Sequence, residues 1–265
     1  MSSRPRLGGM ALGNGVLVHS PRHWVCAVRD EYGELRVVSG RKPLFASGAN
    51  SPLIRNLARV GEALAVLPVV ARAMPSADLP HRSGRMLAAF AAGLTAARLV
   101  KGWGLTSART ELILAALSVA PLALAVRRSK VASYHGAEHV AIGSWEHGEP
   151  RGRVHERCGS HLVAPLLATN AVGNVIAERL ARSHTQLAVG RALAAIVSVG
   201  ASMELLAWTL RNPERPLARL LAKPGSWLQR ALLTAEPSLA ELEVAEVARD
   251  ECLRLEAEHT ELATR

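Results

Sequence analysis

The chain has 265 residues, 49 % of them hydrophobic but only 3 % aromatic, and a formal net charge of +10. The charge is uneven: residues 236–261 hold nine acids against two bases, a net −7, which leaves +17 on the rest. That basic body has no aromatic-interleaved basic stretch and no recognisable binding module, which argues against a nucleic-acid partner. The three cysteines, Cys26, Cys158 and Cys252, are far apart and odd in number, which argues against a disulfide framework and for a cytosol-facing chain.

The length suits one large domain or two small ones. The first fifteen residues are polar and glycine-rich without an apolar core, so no cleavable signal peptide is expected. Residues 9–39 predict short strands. Gly15–His19 is one, Trp24–Arg29 a second, and Glu34–Val38 returns after a turn at Asp30–Gly33, which together predict a small β-hairpin region. Gly8-Gly9 and Gly13-Asn14-Gly15 read as turns rather than a phosphate cradle, since no Lys-Ser/Thr follows.

Residues 40–52 form a loop rich in Gly, Pro, Ser and Asn. Ile54–Met74 predicts an apolar-leaning helix kinked at Pro68, lying at a bilayer interface or entering it partway. Met86–Val100, Leu112–Val126 and Leu187–Leu210 are more hydrophobic runs, and Leu162–Ala177 is a weaker fourth. Bases flank these runs: Arg82, Arg85, Arg127, Arg128 and Lys130 share one side if Met86–Val126 forms a helical hairpin. The positive-inside tendency then puts the N-terminal strands, residues 127–160 and the C-terminus in the cytoplasm. A soluble Ala-rich bundle is the competing reading, favoured by a mean hydropathy of only +0.14.

Between the two expected hairpins stands Tyr134-His135-Gly136-Ala137-Glu138-His139. On a helix, His135 and His139 lie one turn apart on one face, where two imidazoles can share a metal ion, with Glu138 beside them as general base. His155 and Cys158 follow within a turn-rich segment, and Glu146 falls on the same stripe. A solvated polar helix face is the competing reading of the same residues. Further on, Pro224-Gly225-Ser226-Trp227 turns into a short helix with Trp227 suited to a membrane surface. Ser238 and Glu241 predict a capping box for a C-terminal helix whose acidic face is solvated.

Several of these segments resemble one family. Tyr-His-Gly-Ala-Glu-His, Arg-Cys-Gly-Ser, Pro-Gly-Ser-Trp-Leu-Gln-Arg and Glu-Leu-Glu-Val-Ala occur in the order seen in the YqhQ-like bacterial membrane proteins, catalogued as a domain of unknown function and as predicted metal-dependent enzymes. Gly8–Val16 and Ile54–Leu57 are similar to that family's opening segments, so the resemblance runs from about Leu7 to Ala248. It implies a multi-pass protein of the bacterial plasma membrane whose functional residues include His135, Glu138, His139, His155, Arg157, Cys158, Gly159 and Glu204. The chain departs from the family where Asn14 and Val140 stand.

These readings predict a mainly α, polytopic membrane protein with a small N-terminal β-hairpin region and a C-terminal cytoplasmic helix. The expected segments are 1–50, β-rich and cytoplasmic; 51–126, an interfacial helix and a transmembrane hairpin; 127–160, the His/Glu/Cys segment; 161–211, a second hairpin; and 212–265, a cytoplasmic helical tail. The expected function is a zinc-dependent membrane hydrolase, with His135 and His139 as ligands and Cys158, His155 or Glu204 as the third. Zinc is expected because His and Cys suit a borderline-soft ion. Partners are the lipid bilayer and an unknown protein or small-molecule substrate. Two other functions compete: a partner-binding assembly protein with a structural metal site, and a transporter with Glu204, Asn170 and Asn174 along its path.

Overall fold

Strand-forming segments come first. In the computed structural model, which describes residues 5–45, 48, 51–102 and 108–264, they build a four-stranded antiparallel sheet in the order β1–β2–β3–β4. The strands are β1 (Gly8–Ala11), β2 (Gly15–His19), β3 (His23–Arg29) and β4 (Leu35–Arg41). Val16 pairs with Ala27, Leu17 with Cys26 and Val18 with Val25. The expected hairpin is therefore the second half of a larger meander. Its turn is held by Asp30, whose Oδ1 accepts from the backbone N–H of Tyr32 and of Glu34, and by Gly33 at a φ of 82°. The glycines expected to form a turn at Gly8-Gly9 lie instead in β1, paired with His19 and Val18.

Among the described residues eight α-helices follow: α1 (Pro52–Ala73), α2 (Gly84–Gly102), α3 (Ala108–Val126), α4 (Lys130–His147), α5 (Val163–Leu180), α6 (His184–Arg211), α7 (Pro216–Leu228) and α8 (Leu239–Thr264). The fold is mainly helical with an N-terminal antiparallel sheet. The contacts divide it into two units: residues 1–44, 63–155 and 229–265 form the first, and residues 45–62 and 156–228 the second. Helix α1 contributes its first half to the second unit and its last eleven residues to the first.

In the first unit the sheet is buried on both faces, which explains the near-continuous apolar run of β3. Val16, Val18, Val25 and Ala27 face Tyr134, Ala137, Ala141 and Ile142 of α4 and Val244, Ala245, Ala248 and Cys252 of α8. Leu17, Trp24, Cys26 and Val28 face Val66, Val70 and Met74 of α1, with Leu79. Helix α8 is thus a core element rather than an appended tail, and Glu256 secures it. The Glu256 carboxylate accepts from Ser20 Oγ at 2.6 Å and from Arg22 at 2.7 Å, and lies 3.2 Å from His23 Nδ1. Its first turn carries the expected capping box: Ser238 N–H donates to Glu241 at 2.8 Å, and Glu241 N–H to Ser238 Oγ at 3.3 Å. Helices α2 and α3 pair with each other as expected; residues 103–107 between them lie outside the described residues.

In the second unit α5 and α6 pair closely over small residues. A Cβ at Gly173 would lie 2.6 Å from the Ala194 Cβ, and one at Gly190 would lie 2.9 Å from that of Ala177. Their outward faces expose Val172, Val175, Ile176, Leu180, Val189, Leu193, Ile196 and Val197. Among the described residues, two helices are long and apolar enough to cross a membrane. One is α6, of 28 residues, whose most apolar 18-residue window has a mean hydropathy of 1.7, and the other is α5 with the turn before it, Gly159–Leu180, whose corresponding window reaches 1.2.

Candidate metal centre

The H-x-x-E-H segment lies on α4, which starts after Arg128 at a φ of 56° and ends at Gly148 at a φ of 74°, a left-handed stop. One face of α4 packs on the sheet through Tyr134, Ala137 and Ala141. Its flank at Gly136 runs flush against the segment that follows a π-helical turn at Gln229–Leu233: Ala235 N–H donates to Ala132 O at 2.9 Å, and a Cβ at Gly136 would meet Ala235 O at 2.0 Å. Only glycine permits that approach.

His135 and His139 stack one turn apart, with ring centroids 4.3 Å apart, and His155 joins them at 5.5 Å from His139. His135 Nδ1 lies 3.0 Å from the carbonyl oxygen of Leu233, and His139 Nδ1 lies 2.8 Å from that of Arg153. A carbonyl only accepts, so each Nδ1 is the donor, and in a neutral ring the lone pair then lies on Nε2. Each of the two rings offers one nitrogen within 4.8 Å of the other's. His139 is only 1 % exposed. His155 is fixed differently: its Nε2 lies 3.1 Å from Glu146, and its backbone is bracketed by the fully buried Gln229. Gln229 accepts from His155 N–H at 2.8 Å and donates to His155 O at 3.1 Å.

Glu138 is buried beside the imidazoles. Burial pushes its carboxyl above the usual carboxylate range, and the neighbouring His135 and His155 pull the other way without reversing it. The arrangement therefore offers an imidazole pair of the ligand tautomer and a carboxyl poised to exchange a proton nearer neutrality than an ordinary Glu.

The other expected ligands belong to the second unit. Cys158 caps the turn Gly159–Leu162, its sulfur accepting from Ser160 N–H at 3.5 Å. Glu204 on α6 accepts from Asn56 at 2.7 Å, which gives its carboxylate a structural role within that unit. Two residues of the first unit went unread in the sequence. Gln229 sits in the Trp-Leu-Gln-Arg stretch, where nothing local marks it as a support of the site. Arg153 supplies the carbonyl that orients His139, while its guanidinium donates to Glu236 at 2.8 Å and to Thr234 O at 3.0 Å.

A mainly helical protein with an N-terminal antiparallel sheet and an imidazole pair on a central helix is the class these features define. A family profile described as "Protein of unknown function (DUF1385)" matches residues 105–255, and the chain belongs to that family. It is similar to the "Uncharacterized protein YqhQ" of Bacillus subtilis (strain 168), 37 % identical over 150 residues, which are 53 % of this chain and 44 % of that protein. The match thus spans less than half the length of that relative. No solved structure matches the chain.

Proposed function

We propose that the protein is a membrane-inserted, zinc-dependent hydrolase in which His135 and His139 hold the metal and Glu138 is the general base. One observation carries this reading: both rings donate Nδ1–H to backbone carbonyls, which leaves an acceptor Nε2 on each, one helical turn apart. An imidazole serving only as a polar surface group needs no such orientation. Zinc fits the donor set better than magnesium or calcium, which prefer oxygen ligands.

Cys158 is the softest third ligand that the sequence offers to this reading. It follows His155 by three residues, a reach of about 10 Å of extended chain. His155 remains a rival, because its Nε2–Glu146 contact leaves Nδ1 as the acceptor, whereas Glu204 is held by Asn56. A bound zinc ion would lower the pKa of a water in its open position to about 7. Glu138 would then be the group placed to accept a proton from that water and return it to the leaving group, and burial holds its carboxyl above the usual carboxylate range.

The apolar outer faces of α5 and α6 support insertion in a bilayer. Arg157, Arg211, Arg215, Arg219 and Lys223 at the open end of that pair outnumber Arg179 and Arg182 at its turn. The positive-inside tendency then turns the open end toward the cytoplasm. A multi-pass arrangement would need α2 and α3 as its second hairpin, but among the described residues only α5 and α6 are long and apolar enough to cross.

The test is the absorption spectrum of the Co²⁺-substituted protein. A sulfur-to-cobalt charge-transfer band that disappears in Cys158→Ser supports the ligand set, and a spectrum shifted by added azide supports an open position. The burial of His139 favours a second reading, a closed structural site in an assembly protein, for which azide would leave the spectrum unchanged.

A further inference from the structure

Helix α7 is divided into three strips along its length. Ala218 and Gly225, seven residues apart, form the buried strip, and a Cβ at Gly225 would lie 2.4 Å from His161 Nδ1, so this edge is locked within the second unit. Leu217, Leu220, Pro224 and Trp227, at offsets 0, 3, 7 and 10, form a second strip, and it faces outward. Leu217 is 55 % exposed, Leu220 60 % and Trp227 58 %. Arg219 and Lys223 form a third strip beside the apolar one, and both are exposed. Glu214 is the one acid in residues 211–230, against Arg211, Arg215, Arg219, Lys223 and Arg230, and it forms an exposed ion pair with Arg219 that a headgroup would replace.

An exposed stripe of two leucines and a tryptophan is costly in water. A stripe bordered by bases along one edge, with the ring of Trp227 at its end, matches one environment. That is the plane where acyl chains meet anionic headgroups. The exposed apolar faces of α5 and α6 belong to the same unit as α7.

We propose that α7 is an interfacial helix that binds anionic lipid: Leu217, Leu220 and Trp227 enter the acyl boundary, while Arg219 and Lys223 contact phosphate headgroups. The proposal rests on the reading of α5 and α6 as membrane-inserted. It commits to phospholipid rather than a protein partner because the basic strip complements headgroup charge and the helix supplies no acid of its own to a basic partner.

The experiment uses the full chain with Cys158→Ser, so that buried Cys26 and Cys252 leave an introduced cysteine as the labelling site. Spin labels at Leu193→Cys on α6 and at Leu220→Cys on α7 are read in nanodiscs of phosphatidylcholine alone and of phosphatidylcholine with phosphatidylglycerol. The label on α6 should be reached by oxygen rather than by a water-soluble nickel complex in both lipids. The label on α7 should become protected from nickel in the phosphatidylglycerol discs, and Arg219→Glu with Lys223→Glu should abolish that gain. A protected label on α6 with an α7 label open to nickel in both lipids overturns the proposal while the inserted reading stands. Equal protection of the α7 label in both lipids overturns the anionic selectivity. Protection in micelles that grows with protein concentration assigns the stripe to a second copy instead. A label on α6 open to nickel in discs sinks the inserted reading itself, and the proposal with it.

Discussion

The backbone of Gly9 lies directly against the carboxylate of Glu138. A Cβ at Gly9 would stand 2.5 Å from Glu138 Oε1 and 2.7 Å from its Cγ. Strand β1 therefore forms one wall of the candidate metal centre, and the sheet that reads in sequence as a separate N-terminal segment is part of the site.

That contact separates two glycine substitutions. In Gly9→Ala the colliding group is a side chain that can swing aside, so the cost is about 1–2 kcal/mol and the fold persists. The displaced group is Glu138, so turnover and metal affinity fall further than stability does. In Gly136→Ala the collision is with the backbone oxygen of Ala235 at 2.0 Å. Here the loss of stability should be larger, about 3 kcal/mol or more. Thermal unfolding and zinc titration of the two variants side by side check this; equal effects on both properties would count against it.

Glu138→Gln keeps the shape and removes the base. Zinc content should stay at the wild-type level, while turnover of any ester, amide or phosphoester found by screening should fall about 10²- to 10⁴-fold. Retained turnover would remove Glu138 from the chemistry and leave the closed structural site as the better reading.

Gln229 tests how far the site depends on its supports. Gln229→Leu preserves bulk but leaves the N–H and C=O of His155 buried without their partner, a cost of about 1–3 kcal/mol for each group. A lowered unfolding midpoint and a zinc affinity weakened about 10- to 100-fold are expected. Unchanged values would mean that the 229–237 segment is not part of the centre.

Glu256 sets an acid limit on the first unit. Burial alone would raise its carboxyl, but hydrogen bonds from Ser20, His23 and Arg22, with the charge of Arg22, more than reverse this and hold it below the usual range. A folded value below the unfolded one contributes stability at pH above the unfolded value of about 4.3. That contribution is lost as pH falls through the lower folded value. The wild type should therefore lose stability below about pH 4.3 more steeply than Glu256→Gln, which should already be weaker at pH 7. Denaturant melts at several pH values measure it, and parallel curves for the two proteins would refute it.

The sequence was most legible where the pattern was local. The helix at Pro52–Ala73 and those at 84–102, 108–126, 163–180 and 184–211 follow apolar runs of helical length, and Ser238 with Glu241 announced the start of α8. The His135–His139 pair was readable because four residues is one turn of helix. What escaped depended on contacts between distant residues. Gly8 and Gly9 carry no strand propensity, and β1 takes glycine because His19 and Glu138 approach it. The buried stripe of α8 is Val244, Ala245, Ala248 and Cys252, three of them small residues without the bulk that marks a core face in sequence, while Leu239 is 87 % exposed. Gln229 acts through His155, 74 residues away, and Arg153 joins His139, 14 residues away, to Thr234, 81 residues away, relations no local pattern carries.

The central claim is that His135 and His139 bind a metal ion, and elemental analysis of the detergent-purified full chain tests it most directly, wild type beside His139→Ala, with circular dichroism showing that both are folded. The account predicts about one equivalent of zinc in the wild type and its loss in the variant. A folded wild type that carries no metal and takes up none on dialysis against zinc would contradict it.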